Sequence, residues 1–290
     1  MGLLARRFAI QVKMDPVQTR FTSRPMATIL AHATRRLRFA GTLAMLSAAF
    51  APATLESQQS PPATQPASAR AAERQRADDE RLRNDWADLE RYRRANDSLP
   101  PPAPGERRVV FMGNSITDGW ARFFPEMFPG KPYIGRGISG QTTPQMLVRF
   151  RQDVIALKPA VVVILAGTND IAGNTGPSTP EMIEDNLMSM TELAHANGIR
   201  VVLSSVLPAY DYPWKPGLGP APKIVALNTW IKAYAARAGA VYLDYHSAMA
   251  DDRQGLRSDL TRDGVHPTEA GYRIMAPLAE SAIAKALRQR

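Results

Sequence analysis

From Arg107 onward the chain alternates two hydrophobic patterns. Short unbroken apolar runs stand at about 108–112 (RVVFM), 132–135, 160–166 (AVVVILA), 200–206 (RVVLSSV) and 241–244 (VYLD). Between them lie longer stretches in which apolar residues recur at helical spacing. Unbroken runs, rather than strict alternation, mark strands covered on both faces. The helices carry start and stop signals. Thr143-Pro144 and Thr179-Pro180 each place a capping Thr before a Pro, Pro222 opens a third helix, and Gly198 and Gly239 each stand just before a strand. A last helix is expected from about Thr268 to Leu287. Repeated β-α alternation predicts a three-layer α/β/α fold around a parallel, flavodoxin-like sheet of about five strands, placed here at residues 105–290.

The preceding segment reads differently. Residues 54–70 are rich in Ser, Gln, Pro and Ala and are expected to be a disordered linker. Residues 71–95 have a charged helical pattern, with Leu82, Trp86 and Leu89 on one face, and this stripe is expected to dock on the domain that follows. Ser98-Leu-Pro-Pro-Pro-Ala-Pro104 closes the helical segment and connector of residues 71–104.

Composition changes the picture in two places. The net charge of +9 would suit a nucleic-acid partner, but residues 1–53 hold eight Lys/Arg and one acidic residue. The remainder is within about two charges of neutrality, with no basic stripe, so no nucleic-acid partner is expected. The leader explains the basicity otherwise. Arg35, Arg36 and Arg38 precede the apolar run Phe39–Phe50, and Ala51-Pro52-Ala53 follows. That is the pattern of a secretory signal peptide, with Met26 as the natural start, and it predicts export to the periplasm or medium. The run is too short to span a bilayer, so no stable membrane insertion is expected once it is removed. There is no cysteine, which removes disulfides, thiolate metal sites and a cysteine nucleophile.

In an open α/β sheet, ligands gather at the carboxyl ends of the strands. There the sequence places Gly113-Asn114-Ser115, then Gly135-Arg-Gly137-Ile-Ser-Gly140, then Gly167-Thr-Asn169-Asp170. Asp263-Gly-Val-His266 opens the last helix. A hydroxyl, glycine N–H groups, a carboxamide, a carboxylate and an imidazole are the parts of an acyl-transfer site. Ser115 is outside any G-x-S-x-G elbow, which argues against the α/β-hydrolase nucleophile turn. His195 near a helix end and His246 after the fifth strand read as structural, and His32 lies in the leader. No metal-ligand spacing appears, and the lone GxG at 135–137 is no dinucleotide fingerprint, so no metal or cofactor is expected.

These four blocks resemble those of the SGNH (GDSL-like) hydrolase superfamily of esterases and lipases, over residues 107–287. The resemblance implies Ser115 as nucleophile, Asp263 and His266 as acid and base, and an oxyanion hole from Ser115, Gly140 and Asn169. Asn114 stands where the family usually has Asp, which predicts altered local hydrogen bonding without loss of the nucleophile. The activity implied is hydrolysis of short acyl esters, acetyl above all, on small molecules or carbohydrates. Lysophospholipase and thioesterase activities belong to the same superfamily, and a non-catalytic binding domain is the rival of another class. The long segment Leu207–Pro222 carries Tyr210, Tyr212 and Trp214, candidates to wall the acyl pocket or stack on a sugar.

Overall fold

The computed structural model describes residues 67–289. Contacts divide the chain into Met1–Pro62 and Ala63–Arg290, and everything below concerns the second unit. The leader and most of the expected linker lie outside the described residues.

Five parallel strands form one sheet: β1 (Val109–Gly113), β2 (Tyr133–Gly137), β3 (Val161–Leu165), β4 (Arg200–Ser204) and β5 (Val241–Leu243), in the order β2-β1-β3-β4-β5. Val109 sits opposite Tyr133 on one side and Val161 on the other. Both faces of the central strands are covered, which is why their sequences are unbroken apolar runs. Val110, Met112, Val162 and Ile164 face a core shared with α5 (Thr143–Asp153), α7 (Pro180–Ala196) and α8 (Ala221–Ala238). Val109, Phe111, Val161 and Val163 face the opposite core, with α3 (Ser115–Ala121), α4 (Phe124–Met127) and α10 (Glu269–Arg288). There Phe111 meets Phe124 edge-on with centroids 4.9 Å apart, and Trp120 stacks on Tyr272 at 5.6 Å. Full burial of each such side chain contributes about 1.5–3 kcal/mol.

The chain leaves β1 toward β2 and then crosses to β3 on the other side. The reversal puts a crevice at the carboxyl ends of β1 and β3, and the loops after these strands carry Ser115 and Asn169. Gly137, at the end of β2, lets α3 come close: a Cβ there would stand 2.1 Å from the Asp118 nitrogen.

Two local expectations are corrected. The residue at the cap of α5 is Thr142, with Thr143 already inside the helix. Gln145 Oε1 accepts from the Thr142 N–H at 3.1 Å, and Thr143 turns its N–H and hydroxyl to Asp170 instead. The Leu82–Trp86–Leu89 stripe does not share a helix. α1 (Ala67–Asn84) starts inside the expected linker and stops before Trp86, which is 42% exposed. Asp85 takes the N–H of Glu90 at 2.9 Å and Asp88 has φ +53°, so the chain turns. The carbonyls of Trp86, Ala87 and Leu89 accept from Gln145, Gln141 and Gln152. A continued helix would have used these oxygens in its own ladder. The strap ends in α2 (Arg93–Asp97) and the prolines that lead to β1.

Candidate active site

β1 delivers the chain to Asn114, the N-cap of α3, whose Oδ1 accepts from Ile116 N at 3.1 Å. Asn114 is 1% exposed. The carboxamide therefore makes the capping bond without placing a charge in a buried position. Ser115 is the first residue of the helix, half-buried, and its N–H has no acceptor among the described residues, as expected of a first-turn donor.

Ser115 Oγ lies 2.8 Å from His266 Nε2, and His266 Nδ1 lies 2.7 Å from Asp263 Oδ2. The turn that holds the pair is built from its own backbone. Asp263 Oδ1 accepts from Val265 N at 3.0 Å and His266 N at 2.8 Å, while Thr261 Oγ1 donates to the His266 carbonyl at 2.8 Å. Partial burial pushes the Asp263 carboxyl up, but the bonds from the His266 imidazole and from the two backbone N–H groups outweigh it and hold the pKa at about 2. An ionised carboxylate only accepts, so Nδ1 carries the proton and the Nε2 lone pair faces the serine hydroxyl.

Gly140 has φ +79° with open space where a Cβ would lie, and its N–H has no acceptor among the described residues. Asn169 is the second residue of α6 (Thr168–Ala172) and is 2% exposed. One of its amide hydrogens goes to the Gln141 carbonyl at 2.9 Å, which leaves the second. The neighbouring Asp170 pins α6 to α5, accepting from Thr143 N at 2.9 Å and Thr143 Oγ1 at 2.6 Å. Burial raises its pKa, and the Thr143 bonds oppose the shift.

Sequence reasoning missed the buried layer beneath these groups. Arg149 and Asp153 form an ion pair at 3.0 Å with both side chains 0% exposed. Arg149 Nη2 also donates to the Gly113 carbonyl at 2.9 Å, and Nε donates to Gln141 Oε1. Asn96 of the strap donates to Asp153 at 2.7 Å and accepts from Arg136 at 2.9 Å. One charged cluster thus links the strap, the end of β1 and the Gly140–Gln141 loop.

The aromatic segment after β4 divides in its roles. Trp214 is 40% exposed, with its ring centroid 6.2 Å from that of His266, and its Nε1 donates to Asn174 Oδ1 at 3.2 Å. Asn174 Nδ2 in turn reaches the Gly140 carbonyl at 3.3 Å. Tyr212 is corrected: at 0% exposure it cannot touch a ligand. It stacks behind Trp214 at 5.0 Å and bonds Thr168 through its hydroxyl. Tyr210 is exposed, with Arg253 over its ring. His195 is exposed near the end of α7. His246 lies buried outside the Ser115 constellation. Its backbone N–H bonds Ser205, its Nε2 has no partner among the described residues, and burial lowers its pKa.

Among the described residues, no three His, Cys, Asp or Glu stand together as a metal site, and no helix is long and apolar enough to cross a membrane. The chain is similar to several known proteins. The profile of the GDSL-like Lipase/Acylhydrolase family matches residues 111–274. A GDSL-like lipase from Bacteroides thetaiotaomicron superposes with a TM-score of 0.67 at 50% identity, over 70% of this chain and 100% of that one. An acetylxylan esterase of Xylanibacter ruminicola is 27% identical over 64% of this chain, which spans only 45% of that protein's length. Esterase TesA of Pseudomonas aeruginosa is 29% identical over 57% of this chain and 78% of its own length.

Proposed function

The chain belongs to the GDSL-like Lipase/Acylhydrolase family, and on that footing we propose that it is a serine esterase that removes short acyl groups, acetyl foremost, through an acyl-enzyme. The observation that carries the reading is the continuous line from Ser115 Oγ to His266 Nε2 to Asp263 Oδ2.

In this mechanism His266 Nε2 takes the Ser115 proton as Oγ bonds to the ester carbon. The carbonyl electrons move onto oxygen, which receives the N–H groups of Ser115 and Gly140 and the free amide hydrogen of Asn169. Each such donor stabilises the transition state by about 3–4 kcal/mol. The tetrahedral intermediate collapses, and the departing alkoxide takes the proton from His266. Water then repeats the sequence on the acyl-Ser115 ester, and the carboxylic acid leaves. Asp263 remains ionised and holds the imidazolium in place.

Two observations favour a short acyl group. Trp214 and Asn174 stand beside His266 and Gly140, where bulk limits the room for a long chain. The apolar cavity lined by Ile171, Ile183 and Leu227, about 350 Å3, has none of Ser115, Asp263 or His266 in its wall. The likeness to an acetylxylan esterase supports acetyl groups on carbohydrate. The Arg35–Ala53 pattern supports an exported enzyme, and the N-terminal sequence of protein recovered from its native host checks that assignment.

The decisive test compares hydrolysis of p-nitrophenyl acetate, butyrate and octanoate with a folded Ser115→Ala control. The reading expects turnover that falls with chain length and vanishes in the control. Equal rates in the two proteins would remove it, and a preference for octanoate would replace the acetyl assignment with a lipid one.

A further inference from the structure

A cleft of about 400 Å3 opens beside His266, and its wall includes Arg122, Phe123, Arg262, Asp263 and Glu269. It shares His266 with the candidate site, and in the proposed chemistry that imidazole must reach the departing oxygen. The charges in its wall are unequally engaged. Asp263 is taken by His266 and by two backbone N–H groups. Glu269 is taken by Arg273 at 2.6 Å. Arg122 and Arg262 have no carboxylate partner among the described residues; both are exposed, and both line the cleft. Arg122 is held over the Phe123 ring at 4.7 Å, which limits its wandering.

We infer that this cleft is a leaving-group subsite for alcohols that carry an anionic oxygen group, a carboxylate or a phosphate, received by Arg122 and Arg262. The inference deepens the esterase reading and rests on it. Two guanidinium groups without a carboxylate partner of their own, in a cleft that His266 also lines, are suited to receive planar or tetrahedral oxyanions. Both arginines are solvated, so the preference is moderate and sensitive to salt.

Meta-acetoxybenzoate and its neutral isostere meta-acetoxybenzamide test it, with meta-acetoxyphenyl phosphate as the second anion. Wild type should favour an anionic ester over the benzamide by about tenfold in kcat/KM at low salt, the size expected of two partly screened contacts. The ratio should approach one in Arg122→Gln/Arg262→Gln and in high salt. The stronger of the two anions identifies the group. Binding of the product alcohols to the Ser115→Ala protein, followed by calorimetry, gives a readout that needs no turnover. Tighter binding of meta-hydroxybenzoate or meta-hydroxyphenyl phosphate than of meta-hydroxybenzamide, lost in the double arginine variant, supports the subsite. Equal binding of anions and amide overturns it. If the benzamide ester is not hydrolysed, or is hydrolysed equally by Ser115→Ala, the esterase reading fails, and the binding comparison still decides the cleft.

Discussion

Arg149 donates to the carbonyl oxygen of Gly113 at 2.9 Å, so a fully buried guanidinium fixes the backbone two residues before Ser115. The same group is bonded to Gln141, next to Gly140. The end of β1 and the glycine loop are thereby held by one rigid planar cation. Replacing it by Met should cost about 3–5 kcal/mol in urea unfolding, because Asp153 is left buried and uncompensated. Arg149→Met/Asp153→Leu should recover much of that stability and little of the activity, since Gln141 still lacks its partner. Full recovery of kcat in the double variant would deny the loop its dependence on Arg149.

Asn169 has one amide hydrogen committed to Gln141 and one free. Asn169→Ala should lower kcat by about 10²–10³-fold with a much smaller change in KM, the signature of a donor that acts in the transition state. Steady-state kinetics on p-nitrophenyl acetate separates the two, and a change confined to KM would assign Asn169 to ground-state binding.

The Asp263 carboxyl titrates at about 2, below its ordinary value of 3.8. A lowered native pKa means that the carboxylate's stabilising contribution is complete above about pH 4 and is lost as the pH falls toward 2. Thermal unfolding of wild type should therefore drop across that window more steeply than that of Asp263→Asn. Parallel curves would show that the native carboxyl titrates like a free one. At neutral pH the same variant should lose about 10⁴-fold in kcat, because the amide can no longer fix the tautomer.

Trp214 is stacked from behind by the buried Tyr212 and bonded to Asn174. Trp214→Ala should raise KM and shift chain-length preference toward longer acyl groups. Tyr212→Phe should leave the ring in place while the Thr168 hydroxyl loses its partner, for about 1 kcal/mol of stability. An unchanged acyl-chain profile in Trp214→Ala would take the indole out of the pocket wall.

The sheet was legible because its strands are buried on both faces and bounded by glycine and proline. The proposed catalytic residues were legible because each stands in a short block at a strand end or a helix start. What escaped had a weaker local signal. Arg149 and Asp153 fall on the same face of α5 as Met146 and Phe150, so two charges on an apolar stripe could have announced a buried pair. Asn174 carried no such mark, because its role depends on Trp214, forty residues away. The Leu82–Leu89 spacing misled because periodicity does not show that glutamines on and just before α5 will claim the carbonyls.

Those glutamines carry a consequence for ancestry. The side-chain amides of Gln141, Gln145 and Gln152 all donate to main-chain oxygens of the strap. Residues 86–89 can therefore drift in identity while the peptide path stays where it is. Relatives of this chain should keep the three amides longer than the letters opposite them, and an ancestor reconstructed from residue identity alone would lose the strap first.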